Sequence, residues 1–130
     1  MQAGTDRARP RADSNLTQSL MNLVQQSNLI KKLKRGANEA TKALNRDIAE
    51  IVILAADAKP LEIILHLPLL CEDKSVPYIF VDSMAELGQA CGTSRNVVAC
   101  AIVKSFNDER LGDEIKELKV QVEQAYINSF

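Results

Sequence analysis

The sequence predicts one α/β domain, a three-layer α-β-α sandwich with a small mixed sheet. Three observations predict it. Short apolar runs at 51–56, 77–81 and 97–103, rich in β-branched residues, read as strands. Stretches of helical periodicity, each about ten residues long, separate them, as in layered α/β folds. The third is size: 130 residues make one ordinary domain, enough to remove about two-thirds of the unfolded surface from water. With 46% apolar and 25% charged residues, the composition is that of a globular chain.

Residues 1–13 (MQAGTDRARPRAD) are polar and basic. They read as a flexible arm whose arginines could reach phosphates weakly, with the folded domain over 14–130. Asn15-Leu16-Thr17-Gln18 resembles a capping box, and Leu16, Leu20, Leu23 and Val24 follow at helical spacing to about Asn28. A short basic stretch, Leu29 to Arg35, stops at Gly36. A second helix is expected from Ala37-Asn38-Glu39 to about Asn45. Ile51–Ala56 reads as a strand buried on both faces. Pro60 then opens a helix that Leu61, Ile63, Ile64, Leu65 and Leu67 carry to Pro68. Pro77–Val81 is a second strand. Ser83-Met84-Ala85-Glu86 is a capping box for a helix ending at Gly92. Val97–Val103 is a third strand, and beyond Asn107 the stripe Ile115, Leu118, Val122 predicts a last helix docked on the sheet.

Several function classes fall away. Three widely spaced cysteines (Cys71, Cys91, Cys100), an odd number without a C-x-x-C pair, argue against disulfides and zinc; they read as buried fillers in a reducing compartment. No apolar run is long enough to span a membrane, and no signal peptide is evident, so a soluble intracellular protein is expected. The lone histidine, His66, reads as a satisfied core or half-buried residue. No P-loop, G-x-G-x-x-G or G-x-S-x-G is present, so neither catalysis nor a cofactor is expected. Asp57 and Glu62 read as a solvated helix start, and Glu72-Asp73-Lys74 as a solvated turn. The near absence of aromatics weighs against a stacking platform for single strands.

Charge is distributed unevenly. Residues 1–46 hold nine Lys and Arg against three Asp and Glu, and residues 47–130 hold seven against fourteen. A basic surface near the N-terminal third follows. Its centre is KKLKRGANEATKALNR, Lys31 to Arg46. Gly36 permits close backbone approach or positive φ, and the following helix start offers free N–H groups suited to phosphate. Lys34 and Arg35 stand just before it, and Lys42 lies one turn beyond Asn38. Glu39 is out of place in a pure phosphate binder. A carboxylate there can accept from the N1–H and N2–H₂ edge of guanine while Lys or Asn reads its acceptors. A charged, solvated helix start, with Glu39 only complementing the dipole, accounts for these residues equally well.

Arg35-Gly36-Ala37-Asn38-Glu39-Ala40-Thr41-Lys42 resembles the signature of the kink-turn RNA-binding superfamily that includes ribosomal proteins of the L7Ae type. Leu44-Asn45-Arg46, Ala55-Ala56-Asp57-Ala58 and LEIILHLPLLCEDKSVPYIF are similar to one branch of it, over roughly residues 14–103. The resemblance implies an α-β-α sandwich that binds an RNA stem–bulge–stem with tandem sheared G·A pairs. Residues matching Asn38, Glu39 and Lys42 would read the guanines, Gly36 would admit the backbone, and Lys34 and Arg35 would meet phosphates. The segment matching Lys59 to Ile63 and the loop Thr93-Ser94-Arg95 would surround a flipped-out bulge nucleotide, with Ile63 an apolar contact.

The branch resemblance further implies a nuclear and nucleolar monomer that nucleates two particles. These are the spliceosomal tri-snRNP, through the 5′ stem-loop of U4 snRNA, and box C/D snoRNPs, with Nop-domain proteins recruited onto the protein–RNA complex. Thr93 and Asn96 depart from the branch pattern, which implies a looser 93–96 loop or a weaker apolar contact there. Asp47 and Lys59 also depart, Asp47 reading as a tolerated turn substitution and Lys59 as a residue that could add a phosphate contact. Two alternatives stay open: a ribosomal or H/ACA-particle member of the superfamily, and a protein-interaction adaptor without RNA binding.

Overall fold

The computed structural model describes residues 8–104 and 111–128. Among them, five α-helices and a short 3-10 helix surround a four-stranded sheet. In chain order they are α1 (Ser14–Leu29), β1 (Leu33–Arg35), α2 (Ala37–Asn45), β2 (Ala49–Ala55), the 3-10 turn Leu61–Ile64, α3 (His66–Lys74), β3 (Tyr78–Val81), α4 (Met84–Ala90), β4 (Ala99–Val103) and α5 (Gly112–Asn128). The sheet order is β1-β4-β2-β3. It is mixed: β4 runs antiparallel to β1 and β2, and β3 runs parallel to β2.

The period-two alternation of β2 sorts its side chains between two cores. Ile51, Ile53 and Ala55 pack with α1, α4 and α5 through Leu20, Leu23, Val24, Leu87, Leu118 and Val122. Val52 and Leu54 pack with α2, the 3-10 turn and α3 through Ala40, Leu44, Ile64, Leu67 and Cys71. Both faces of the sheet are therefore covered, as its uninterrupted apolar strands require. The expected docking of Ile115, Leu118 and Val122 is observed, all three being buried.

The fold departs from the sequence expectations in several places. Residues 8–13 do not stand free as arm. Phe80 N–H donates to Pro10 O (2.8 Å) and Ala12 N–H to Phe80 O (2.9 Å), covering the open edge of β3. Arg11 adds an ion pair to Asp82 at 2.8 Å; residues 1–7 of the expected arm lie outside the described residues. Helix α1 is capped by Asp13, whose carboxylate accepts from Leu16 N–H (2.8 Å), rather than by Asn15. The basic stretch contains a strand, β1, too short and too charged to show strand periodicity.

The helix expected from Pro60 to Pro68 is split into the 3-10 turn and α3. Pro68 is the third residue of α3, where helix N–H groups lack partners anyway, so it starts a helix instead of ending one. Glu72-Asp73-Lys74 is the last turn of α3, ended by Ser75 at φ +58°. There Glu72 accepts from the hydroxyls of Tyr78 (3.1 Å) and Tyr126 (3.3 Å).

Candidate nucleic-acid interface

Three segments converge at one end of the sheet. The first is the β1–α2 junction. Gly36 N–H donates to Ala99 O at 2.7 Å, fixing the junction to the start of β4. Gly36 itself sits at φ +98°, ψ 155°, a conformation closed to residues with a Cβ. Nothing lies within 4 Å of where that Cβ would be, so the cost of replacing Gly36 is in the backbone and not in crowding. As N-cap, Gly36 has no side chain to offer and α2 carries no side-chain cap. Its first-turn N–H groups are left available to an anion.

Around this open helix mouth, Lys34 and Arg35 are exposed on β1, Asn38 and Lys42 are exposed on α2, and Glu39 is half-buried. The Arg35 guanidinium donates to Cys91 O at 3.4 Å, leaning toward the end of α4. Lys42 and Glu39 approach to 3.5 Å.

The second segment follows β2. Ala55 N–H donates to Val98 O at 2.9 Å, tying the end of β2 to the chain just before β4. Asp57, expected as part of a solvated helix start, instead accepts from Met84 N–H at 2.8 Å and joins this loop to α4. Lys59 is exposed. In the 3-10 turn Leu61 and Ile64 are buried, whereas Ile63 is 48% exposed, an apolar group facing solvent.

The third segment is the loop 93–96. Thr93 N–H donates to Gly88 O (3.1 Å) and the Thr93 hydroxyl accepts from Arg95 N–H (3.1 Å), a turn closed by its own side chain. Thr93 thus closes a turn within the loop. Ser94, Arg95 and Asn96 are exposed. Gly88 permits the packing: a Cβ there would strike Arg95 O. Asp47, the other departure, adopts φ +59° after α2, a left-handed position that Asp tolerates better than most residues. It lies 3.4 Å from Lys74 Nζ.

The expected site residues are therefore gathered at one end, from β1 and α2, from the segment after β2, and from the loop before β4. Sequence reasoning missed the role of His66. It is exposed, not core, and its Nε2 lies 3.0 Å from Thr41 Oγ1 on α2. A cross-helix partner 25 residues away leaves no trace in spacing.

Among the described residues no group of three His, Cys, Asp or Glu could hold a metal ion. No helix among them is long and apolar enough to cross a membrane. Cys71, Cys91 and Cys100 are buried free thiols, as expected. Burial, aided by the charge of Glu72, pushes Cys71 up to about 12. A hydrogen bond between Cys91 and Cys100 holds Cys91 below the usual thiol value and Cys100 well above it, burial adding to the rise at Cys100.

Comparison with known proteins gives a consistent result. Residues 18–112 match the ribosomal protein L7Ae/L30e/S12e/Gadd45 family. The chain is 57% identical over 121 residues to the "Small nuclear ribonucleoprotein associated homolog 13" of Caenorhabditis elegans, covering 93% of this chain and 94% of that one. It is 54% identical over 127 residues to the "13 kDa ribonucleoprotein-associated protein" of Candida albicans, covering 98% of this chain and all of that one. Among solved structures, the "Giardia lamblia 15.5kD RNA binding protein" superposes with a TM-score of 0.87 at 47% identity, covering 92% of this chain and 97% of that chain.

Proposed function

The chain belongs to the ribosomal protein L7Ae/L30e/S12e/Gadd45 family, and from that premise we propose that it is a non-enzymatic protein that recognises kink-turn RNA. Two relatives' names give association with a ribonucleoprotein, and the matching solved structure's name gives RNA binding. The kink-turn assignment rests above all on one observation: α2 begins uncapped at Gly36, with the carboxylate of Glu39 set among Lys34, Arg35, Asn38 and Lys42. Cations alone would suit any phosphate backbone; the carboxylate adds an acceptor for guanine N–H donors.

Each segment then has a part. Lys34, Arg35 and Lys59 meet phosphates and set the register. Asn38, Glu39 and Lys42 read the sheared guanines. Ile63 and the Thr93-Ser94-Arg95 loop receive the unstacked bulge nucleotide, since single-stranded bases are where RNA sequence is legible to a protein. Free RNA samples straight and bent forms, and a surface that fits only the bent form captures it.

In the cell the protein would act in the nucleus and nucleolus. It would hold the U4 snRNA 5′ stem-loop in the tri-snRNP and box C/D RNAs in their snoRNPs, and present with them a composite surface to Nop-domain proteins. The test is a titration of the full chain against a kink-turn RNA and against a straight duplex of equal length, over a range of salt. Kink-turn readout predicts a large preference for the bent RNA that persists at high salt. A preference that vanishes as salt rises would reduce the interface to a phosphate surface.

A further inference from the structure

The mouth of α2 presents a mechanical problem. A helix start is usually fastened by a side-chain cap, and α2 has none. Its first turn carries Asn38 and Glu39, which must hold a fixed geometry to read base edges, yet the groups that would normally fasten that turn are left to the ligand. The structure supplies a fastening from the side. The Thr41 hydroxyl donates its one hydrogen to Ala37 O at 2.8 Å. Its oxygen is then an acceptor, and His66 Nε2, 3.0 Å away on α3, is the donor. Both the neutral ring protonated at Nε2 and the imidazolium can fill that role. The chain Ala37 O–Thr41 Oγ1–His66 Nε2 links the first residue of α2 to the first residue of α3.

We propose that His66 is a positioning residue for RNA reading, bracing the uncapped first turn of α2 from its carbonyl side through Thr41. The inference rests on the reading of Asn38 and Glu39 as base-contacting residues. Its mechanical half can be tested in the free protein, apart from RNA. His66 is exposed and Thr41 half-buried, so their substitution removes little buried surface and leaves the fold intact.

Hydrogen exchange of the Ala40 and Thr41 amides, which bond back into the first turn, reports the anchor directly. His66→Ala and Thr41→Val are each expected to speed that exchange several-fold while leaving the β2 amides unchanged. Affinity for kink-turn RNA is expected to fall about threefold to tenfold in each. The double variant is expected to be no weaker than the weaker single one, because both remove the same link. His66→Gln, which keeps a side-chain N–H donor, and Thr41→Ser are expected to bind like the parent. Unchanged first-turn exchange in His66→Ala, or losses that add in the double variant, would overturn the proposal. If exchange quickens but the parent chain itself shows no kink-turn preference, the reading of the site fails while the anchor stands, and His66 has no role in RNA reading.

Discussion

The Glu39 carboxylate lies 3.5 Å from the Lys42 ammonium, one turn apart on α2, with side chains 45% and 56% exposed. Such an exposed pair contributes about 0–1 kcal/mol to stability. It orients both groups at the helix mouth without withholding either from RNA. Glu39→Ala is therefore expected to move the melting temperature by no more than about 3 °C. Affinity for kink-turn RNA should fall about tenfold or more, because a bidentate base contact is worth about 1–3 kcal/mol. Equilibrium titration beside a thermal melt separates the two effects, and equal affinity in variant and parent would show that Glu39 reads nothing.

Lys34 is exposed on β1 beside the mouth rather than on the reading turn. Lys34→Ala should weaken binding to bent and straight RNA by the same factor and lower the slope of log affinity against log salt by about one. A loss confined to the kink-turn would make Lys34 a base reader instead.

Gly88 is the point where α4 touches the 93–96 loop, and a Cβ there would collide with Arg95 O. Gly88→Ala should cost about 1–3 kcal/mol of stability by overpacking, read as a lower urea midpoint. It should also weaken RNA binding, because the loop must move. Gly112→Ala is the control: nothing lies within 4 Å of its Cβ position, and no such penalty is expected.

Much of this architecture was legible in sequence, for identifiable reasons. The strands 51–56 and 77–81 announced themselves because both faces of the sheet are covered, leaving continuous apolar runs. The Ser83 cap of α4 is where the motif put it, the hydroxyl accepting from Glu86 N–H at 3.2 Å. What escaped depends on long-range partners. Strand β1 exists because Leu33, Lys34 and Arg35 find Ile102, Ala101 and Cys100. Residues 8–13 are held because β3 has an open edge. The reading turn of α2 was visible as Gly36-to-Lys42, whereas its lateral support through His66 needed the fold.

Cys71 titrates away from the interface and makes stability depend on alkaline pH. Burial raises its thiol from 9.0 to about 12. Between those values the unfolded chain has lost the proton that the folded chain keeps, so stability falls as pH rises through that window and is fully present below it. Denaturant midpoints at pH 8 and pH 10.5, compared with those of Cys71→Ala, should show a steeper decline in the parent. Equal declines would mean that the thiol is not held protonated by the fold.

The most direct test of kink-turn reading is a gel shift of the full chain against a kink-turn RNA, beside the same RNA with its sheared G·A pairs changed to Watson–Crick pairs. Readout by Asn38, Glu39 and Lys42 predicts tight binding to the first RNA and at least about a hundredfold weaker binding to the second, two guanine contacts being lost together. Equal binding to both would contradict it and leave the basic end of the sheet as a generic phosphate surface.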